Sequence, residues 1–247
     1  MSDQIIVKIR RQERPQAKPY WEEFHLTYRP YLNVISCLME IQKNPRTFDG
    51  RKTKPVVWEQ ACLEEICGSC SMVINGKVRQ ACSTLIDKVG KEVTVEPMAK
   101  FPVQRDLIVN RKRIFENFKM VKAWVPVADP NETGPGPKTN PELADKRYHL
   151  SKCMSCGCCM DACPQINDHS DFIGPAAINQ VRLFNTHPIG AELRDDRLLA
   201  LMQKGGIEDC GNAQNCVKVC PKGIPLVASI IETNREISLN LLHLLKK

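Results

Sequence analysis

The sequence lacks the features that mark a membrane span, an exported protein or a dinucleotide-binding enzyme. No apolar run approaches the roughly 20 residues that a spanning helix needs, and the longest candidate, from Ile224, is interrupted by Glu232 and Arg235. The N-terminus becomes charged too early for a secretory signal peptide. A Gly-x-Gly-x-x-Gly fingerprint and a glycine-rich phosphate loop are both missing. We therefore expect a cytoplasmic protein.

Side chains arranged for catalysis are also missing. No pattern places a nucleophile beside a base. Asp161 is taken as a solvated carboxylate without a role. The histidines are scattered, and we expect surface or packing roles for His25, His149, His169, His187 and His243. We expect that this chain alone performs no bond chemistry, so no catalytic residue is predicted.

Cysteine, by contrast, is abundant. The chain of 247 residues has 13 cysteines, an odd number that argues against a closed set of disulfides. In a reducing compartment, clustered cysteines indicate metal binding or catalysis. The rest of the composition, 43% hydrophobic and 26% charged, is ordinary for a soluble globular protein. The net charge of +7 is compatible with an acidic partner, with an anionic membrane surface, or simply with a solvated basic surface.

The first cysteine group has the spacing of plant-type [2Fe–2S] ferredoxins. The pattern Cys-x4-Cys-x2-Cys is followed at a distance by one more cysteine. Gly68 lets the backbone close over the cluster and aim N–H groups at its sulfurs. Asn75-Gly76, flanked by apolar residues, predicts a hairpin that returns the fourth ligand to the loop. The predicted [2Fe–2S] ligands are Cys62, Cys67, Cys70 and Cys82.

Two further groups have the run Cys-x2-Cys-x2-Cys-x3-Cys-Pro, which is typical of bacterial ferredoxins. The first run, residues 153–164, is complete. The second, residues 210–221, has Ala213 where the second cysteine is expected. Three closely spaced thiolates can wrap one face of a cubane cluster, and in two-cluster ferredoxins the fourth cysteine of each run binds the other cluster.

This exchange of fourth ligands divides the cysteines into a four-thiolate site and a three-thiolate site. Because Ala213 has no sulfur, one iron corner of the second site is left unheld, which predicts [3Fe–4S] there and [4Fe–4S] in the first site. Cys158 falls off the ligand spacing, and Cys37 falls in an apolar helical pattern, so neither is a predicted ligand. The predicted [4Fe–4S] ligands are Cys153, Cys156, Cys159 and Cys220. The predicted [3Fe–4S] ligands are Cys163, Cys210 and Cys216.

Structural zinc is the main alternative for clustered cysteines. Zinc sites have four tetrahedral ligands in paired Cys-x-x-Cys or Cys-x-x-His units. The runs in this chain offer too many thiolates too close together, and no histidine has ligand spacing beside them. A basic zinc module that binds nucleic acid is therefore the weaker hypothesis. An iron-rich preparation with acid-labile sulfide would eliminate it.

The segments between the cysteine groups predict an α+β protein of two domains. Residues 1–106 form the predicted [2Fe–2S] domain, and residues 107–247 form a mainly helical domain that holds the other two clusters. Residues 125–145, rich in proline and glycine, are predicted to be a surface loop. The predicted strands include residues 5–9, 21–28 and 93–98. The predicted helices include residues 34–43 after an Asn33 N-cap, residues 107–124, residues 195–206 and a final segment from Pro225.

The combination resembles the iron–sulfur subunit of succinate dehydrogenase and quinol:fumarate reductase, respiratory complex II. The resemblance covers essentially the whole chain and rests on CLEEICGSC with Cys82, CMSCGCCMDACP, FIGPAAINQVRLF and CGNAQNCVKVCPKGIP. It implies an N-terminal β-grasp domain and a C-terminal bacterial-type two-cluster ferredoxin domain. It also implies two partners, an FAD-containing flavoprotein subunit and a membrane-anchor cytochrome b subunit with haem or quinone.

The function that the resemblance implies is electron transfer between that FAD and the anchor by way of [2Fe–2S], [4Fe–4S] and [3Fe–4S]. The chain would then lie at the cytoplasmic face of the cell membrane, bound through the anchor. Many members have an aromatic residue soon after the proline of the first run and a histidine after the first cysteine of the second. Residues 165–167 (Gln-Ile-Asn) and Gly211 occupy those places here, which favours an anchor that takes electrons through haem. The alternative is a ferredoxin-like carrier of a different dehydrogenase.

Overall fold

The computed structural model describes residues 4–126 and 137–244, which divide into two compact units. The first unit comprises the described residues up to Arg111 together with Cys156–Asp161. The second comprises the described part of Lys112–Ser155 and the described residues from Ala162 onward. The domain boundary after Asp106 stays a prediction.

The first unit is built on a five-stranded mixed sheet with the order β2-β1-β5-β3-β4. Strands β1 and β5 are parallel, and the other neighbours are antiparallel. Strands β6 and β7 form a separate antiparallel pair. The strands are β1 (Gln4–Arg11), β2 (Tyr20–Thr27), β3 (Ser71–Ile74), β4 (Lys77–Gln80), β5 (Glu92–Glu96), β6 (Val103–Arg105) and β7 (Ile108–Val109).

One face of this sheet shares a core with a helix at Val34–Lys43, as the apolar patterns of both elements require. Alternate residues of β1 are almost fully buried, namely Ile5, Val7 and Ile9. The helix begins after Asn33, whose side chain accepts a hydrogen bond from the backbone N–H of Ser36 at 2.8 Å. Its Cys37 is fully buried in the same core, and burial raises the pKa of that thiol to about 11. Cys37 is therefore a core residue, as predicted.

Helices occur in both units and dominate the second. In chain order, the helices of the described residues are α1 (Val34–Lys43), α2 (Ile86–Val89), α3 (Lys112–Met120), α4 (Pro141–Ser151), α5 (Cys158–Asp161), α6 (Pro175–Asn185), α7 (Arg194–Leu201), α8 (Asn215–Lys218) and α9 (Leu226–Leu244). Short 3-10 turns occupy Gly190–Leu193 and Ile207–Asp209. In the parts of the chain that the structure describes, no helix has both the length and the apolar character of a membrane span.

Helix α6 lies at the centre of the second unit and packs against α3, α4, α7 and α9. Its fully buried Asn179 donates to the carbonyl of Leu150 on α4 at 3.2 Å and accepts from the hydroxyl of Ser229 on α9 at 3.3 Å. Arg182, one turn further along α6, donates to the same hydroxyl and pairs with Glu232 of α9. Buried polar groups that satisfy one another across three helices fix how those helices pack.

Several predicted elements are confirmed, and two are wrong in part. The helix predicted over residues 107–124 begins only at Lys112, because residues 108–109 pair with β6 and the N–H of Leu107 donates to the carbonyl of Val57. The loop predicted over residues 125–145 ends earlier, since α4 begins at Pro141 after an Asn140 N-cap. Residues 127–136 of that loop lie outside the described residues.

Candidate metal centres

The loop at residues 62–70 aims backbone N–H groups at cysteine sulfur. Donors of this kind stabilise negative charge on sulfur, so the loop suits thiolates that hold a cluster. The hydrogen bonds run from Glu64, Ile66 and Cys67 to Cys62 Sγ at 3.4, 3.2 and 3.3 Å, from Glu65 to Cys82 Sγ at 3.3 Å, and from Ser69 to Cys67 Sγ at 3.5 Å.

The backbone of this loop is turned sharply to make those hydrogen bonds. Leu63 and Glu65 have φ of 62° and 55°, in the left-handed region that side chains with a β-carbon adopt reluctantly. Gly68 has φ of 76°, which glycine adopts without strain. Cys70, at the end of the loop, and Cys82 both lie in the apolar core of the unit.

The fourth predicted ligand returns to the loop through the hairpin formed by β3 and β4. Asn75 and Gly76, at its tip, have φ of 48° and 71°, as the Asn-Gly signal predicts. The Cys82 sulfur then reaches the Cys70 sulfur, and a hydrogen bond joins them. Asn33, the N-cap of α1, also donates from Nδ2 to the carbonyl of Cys82 at 2.9 Å. The structure therefore brings the four predicted [2Fe–2S] ligands to one loop and its closing hairpin.

The thiols of this group differ in acidity. Burial raises the pKa of Cys70 to about 12, and the nearby Cys82 adds to the increase. Burial acts on Cys67 in the same direction, but hydrogen bonds to its sulfur from Cys62 and Ser69 outweigh it and lower its pKa to about 6. A thiol that is already easily ionised is ready to bind metal, because metals bind the thiolate.

Residues 156–161 belong to the first unit and lie against β4. Cys158 is fully buried, and its hydrogen bond to Cys156 is the largest cause that lowers the pKa of Cys156 to about 7. Asp161 is not the solvated carboxylate that we expected. It is only 9% exposed and accepts a hydrogen bond from the backbone N–H of Lys100 at 2.9 Å. Its role is to hold this segment on the first unit.

The second unit contains a cavity at the predicted three-thiolate site. Three predicted ligands and the substituted position line it, namely Cys163, Cys210, Cys216 and Ala213. Apolar side chains close its other side, including Phe172, Val227 and Ile230. Burial raises the pKa of Cys216, and the neighbouring Cys163 and Cys210 add to that increase by electrostatic repulsion. The three thiols therefore lie close enough together to interact.

The backbone around Ala213 turns toward this cavity. Asn212 and Gln214, on either side of Ala213, have φ of 51° and 60°. The side chain of Gln165 lies against Gly211, in the space that a β-carbon at Gly211 would need. Gln165 and Gly211 both line the cavity. The wall beside the three thiols is thus formed by a glutamine and a glycine rather than by an aromatic ring and a histidine.

The remaining predicted ligands are divided between the two units. Cys156 and Cys159 belong to the first unit, and Cys153 and Cys220 belong to the second. Cys153 follows the end of α4, and its backbone N–H donates to the carbonyl of Leu150. The Cys220 sulfur accepts a hydrogen bond from the backbone N–H of Ile224 at 3.4 Å, which suits a thiolate in the same way as the first loop does.

The chemistry of these donor sets fits iron–sulfur clusters. No disulfide is found among the 13 cysteines, all of which lie in the described residues, and soft sulfur ligands are those that hold such clusters. Around the first loop the sulfurs accept N–H donors, and in the second unit three sulfurs line a common cavity. A site for a single metal ion is a different arrangement, and within residues 4–126 and 137–244 no group of three or more His, Cys, Asp or Glu side chains forms one.

Comparison with known proteins identifies the family. Residues 6–116 match a family described as a 2Fe-2S iron-sulfur cluster binding domain, and residues 149–224 match a 4Fe-4S dicluster domain. The chain is 53% identical to the succinate dehydrogenase iron-sulfur subunit of Bacillus subtilis (strain 168), over 97% of this chain and 95% of that protein. The chain belongs to the family of succinate dehydrogenase and fumarate reductase iron–sulfur subunits.

More distant members of the family agree with this assignment. The fumarate reductase iron-sulfur subunit of Mycobacterium tuberculosis is 34% identical, over 93% of this chain and 91% of that protein. A chain of the Mycobacterium smegmatis Sdh1 complex in the apo form has a TM-score of 0.79 at 22% identity, covering 97% of this chain and 98% of that chain. At that identity the solved structure supports the fold alone.

Membership of this family confirms several predictions. The α+β fold with a [2Fe–2S] domain followed by a mainly helical dicluster domain is confirmed, as is the function of an electron-transfer subunit of an oxidoreductase complex. The predicted cofactors, [2Fe–2S], [4Fe–4S] and [3Fe–4S], are those of the family. The family name implies partner subunits.

Sequence reasoning missed residues that support the cluster loops without being ligands. Arg111 donates to the carbonyls of Gly68 and Ser69, and Gln80 contacts sulfur on two different loops. Neither belongs to a cysteine motif, and each reaches its partners through tertiary contacts. The sequence carries no local signal for these roles. Asn33 was predicted as an N-cap, and its second bond to Cys82 depends on where the hairpin ends.

Proposed function

We propose that the chain carries single electrons between the FAD of a flavoprotein subunit and the haem or quinone of a membrane-anchor cytochrome b subunit. Its relatives are named as subunits of both succinate dehydrogenase and fumarate reductase, which supports a dicarboxylate-linked respiratory complex. Flavin handles electrons in pairs, whereas iron–sulfur clusters pass them singly. The residues of this chain hold the clusters, set their spacing and tune their potentials through hydrogen bonds.

The ligand assignment is part of this proposal. The observation that carries it is the cavity where Ala213 stands beside three cysteines, because a methyl group replaces the one thiol that would complete a four-ligand site. The proposed [2Fe–2S] ligands are Cys62, Cys67, Cys70 and Cys82. The proposed [4Fe–4S] ligands are Cys153, Cys156, Cys159 and Cys220. The proposed [3Fe–4S] ligands are Cys163, Cys210 and Cys216.

The chain binds the membrane from the cytoplasmic face, through the anchor subunit. The finding that no described helix could span a membrane is compatible with such peripheral attachment. Gln165 and Gly211 beside the three-thiolate cavity support transfer through haem, because they leave out the aromatic ring and the histidine that many relatives have there. Electrons then leave this chain at the [3Fe–4S] site.

Purification of the intact complex in detergent, through a tag on this chain, tests the proposal. We expect a flavoprotein with bound flavin and a cytochrome b spectrum to purify with the chain. Succinate should reduce its clusters, as followed by electron paramagnetic resonance (EPR). Recovery of a fully loaded chain without flavin or haem would contradict the proposal and would favour a ferredoxin-like carrier.

A pair of cysteine variants tests the ligand assignment in the same preparation. Cys163→Ser should abolish the EPR signal of the oxidised three-iron cluster, because serine replaces one of its three sulfur ligands. Cys37→Ser is the matched control, since Cys37 is buried in the core of the first unit and belongs to no proposed site. Survival of the three-iron signal in Cys163→Ser would show that the assignment is wrong.

A further inference from the structure

A buried polar chain in the first unit connects sulfur atoms of two different cysteine loops. Gln80, at the end of β4, is 1% exposed, and its carboxamide contacts three groups. Oε1 accepts from Cys70 Sγ at 3.4 Å, and Nε2 donates to Ser71 Oγ at 2.7 Å and to Cys158 Sγ at 3.5 Å. Gln80 thus reaches one proposed ligand, Cys70, and the non-ligand Cys158.

Cys158 continues this chain to a second proposed ligand. Its side chain is fully buried at the start of α5 and forms a hydrogen bond with Cys156, in addition to its contacts with Gln80 and Ser71. The Gln80 amide N–H donates to the Cys158 sulfur, so the hydrogen of the Cys158 thiol remains available for Cys156. A thiol has one hydrogen to donate, and the Cys156 sulfur is the acceptor beside Cys158.

We propose that Cys158, oriented by Gln80, donates a hydrogen bond to the Cys156 sulfur and raises the reduction potential of the cluster that Cys156 holds. The inference deepens the proposed function, in which Cys156 is a [4Fe–4S] ligand. Reduction adds negative charge to the cluster and its ligands, so a donor to a ligand sulfur stabilises the reduced form more than the oxidised form. Cys158 and Gln80 are positioning residues in this account, since neither binds iron.

The test is an EPR-monitored redox titration of the intact complex with Cys158→Ala and Cys158→Ser. In Cys158→Ala, we expect all clusters to assemble and the equilibrium constant for [4Fe–4S] reduction to fall about tenfold, a shift of ~59 mV for one electron. Cys158→Ser should keep most of the wild-type potential, because its hydroxyl can donate the same hydrogen bond. The [3Fe–4S] potential should not change in either variant.

Cys37→Ala is the matched control for loss of a buried thiol. Both cysteines are fully buried in the first unit, and Cys37 lies in its apolar core and belongs to no proposed site. We expect Cys37→Ala to destabilise the chain as a small cavity does, with all cluster potentials unchanged. A general loosening of the unit would shift the potentials in both alanine variants, whereas a specific hydrogen bond affects only Cys158→Ala.

Gln80→Leu tests the orienting role of the amide. We expect the [4Fe–4S] potential to shift in the same direction as in Cys158→Ala but by less, because the thiol hydrogen keeps its acceptor and loses only its orientation. A rise in that potential would mean that the amide competes for the thiol hydrogen, and would overturn the role of Gln80. Electron–nuclear double resonance of the reduced cluster should also show a thiol proton coupling that Cys158→Ala lacks.

Two outcomes overturn the inference, and both differ from failure of the proposed function. An unchanged [4Fe–4S] potential in Cys158→Ala would exclude the hydrogen bond as a source of tuning. Loss of the [4Fe–4S] signal in both Cys158 variants would make Cys158 a ligand instead. If the wild-type complex itself lacks a [4Fe–4S] signal, the proposed function fails first.

Discussion

Arg111 donates a hydrogen bond from Nη2 to the backbone carbonyl of Ser69, at 2.6 Å, inside the loop that holds three proposed [2Fe–2S] ligands. Its Nη1 donates to the neighbouring carbonyl of Gly68 at 3.2 Å, so the planar guanidinium holds two successive peptide groups. The same cation acts electrostatically on Cys156 and helps to lower its pKa. One arginine therefore supports the first loop and affects the charge of a thiol in another run.

Substitution of Arg111 should separate these two effects. Arg111→Lys keeps the positive charge but not the forked donor geometry, so we expect a less stable [2Fe–2S] loop with a nearly unchanged [4Fe–4S] potential. Arg111→Met removes both, so the [4Fe–4S] potential should fall as well. Iron content and EPR-monitored titration of the purified complex measure the two effects. Equal [4Fe–4S] potentials in both variants would exclude an electrostatic role for Arg111.

Asn33 links the first turn of α1 to the fourth proposed ligand of the first cluster. It accepts from Ser36 N–H and donates to the Cys82 carbonyl. Asn33→Ala should lower the unfolding free energy by about 1 kcal/mol through the lost cap. The Cys82 carbonyl, left without its donor, should lower it further. Asn33→Asp keeps the cap, removes the donor and places a carboxylate beside the Cys82 carbonyl, so it should also be less stable than the unsubstituted chain. If urea unfolding finds Asn33→Asp as stable as the unsubstituted chain, the bond to Cys82 contributes nothing measurable.

A cluster of buried charged side chains lies at Arg11, the last residue of β1. The Arg11 guanidinium contacts the carboxylates of Glu22 and Asp106, and all three side chains are at most 5% exposed. Arg11→Met should destabilise the chain by about 3–5 kcal/mol, because two carboxylates lose their buried counter-charge. Its neighbour Arg10 pairs with Glu96 at the surface, and Arg10→Met should change stability by less than about 1 kcal/mol. Similar urea midpoints for the two variants would contradict this account.

Ala213 is the position at which one added sulfur atom should change the type of cluster. Ala213→Cys supplies a fourth thiol to the cavity lined by three others, so we expect conversion of [3Fe–4S] to [4Fe–4S] and a lowered potential. The low-field EPR signal of the oxidised three-iron cluster should then disappear. Ala213→Ser is the matched control, since its oxygen has similar size but is a harder ligand. Persistence of the three-iron signal in Ala213→Cys would contradict the ligand assignment.

Local signals in the sequence predicted what is determined locally. Asn75-Gly76 predicted the hairpin because positive φ at both positions is what such a turn requires. Asn33 predicted the start of α1 for the same kind of reason, a side-chain cap within one turn. The helix that begins at Pro141 was missed although Asn140, Pro141 and Glu142 form an adequate start signal. The surrounding proline and glycine residues outweighed that signal in the prediction.

Tertiary contacts determined what the sequence did not predict. Residues 107–111 have helical spacing, but Asp106 has φ of 48° and its carboxylate accepts bonds from Arg11 and from the N–H of Val57. Those partners are distant in sequence, so no local pattern indicates the turn that they impose. The same holds for Gln80. In the sequence it is a polar strand residue without a motif, and its contact with Cys158 exists only in the folded chain.

We propose above all that the chain's cysteines hold three different clusters in one path for electrons. EPR-monitored redox titration of the intact complex, combined with iron and acid-labile sulfide analysis, tests it most directly. We expect three separately titrating clusters of the [2Fe–2S], [4Fe–4S] and [3Fe–4S] types, and about nine irons per chain. Far fewer irons in an anaerobically prepared, fully loaded sample, or the absence of an oxidised three-iron signal, would contradict the account.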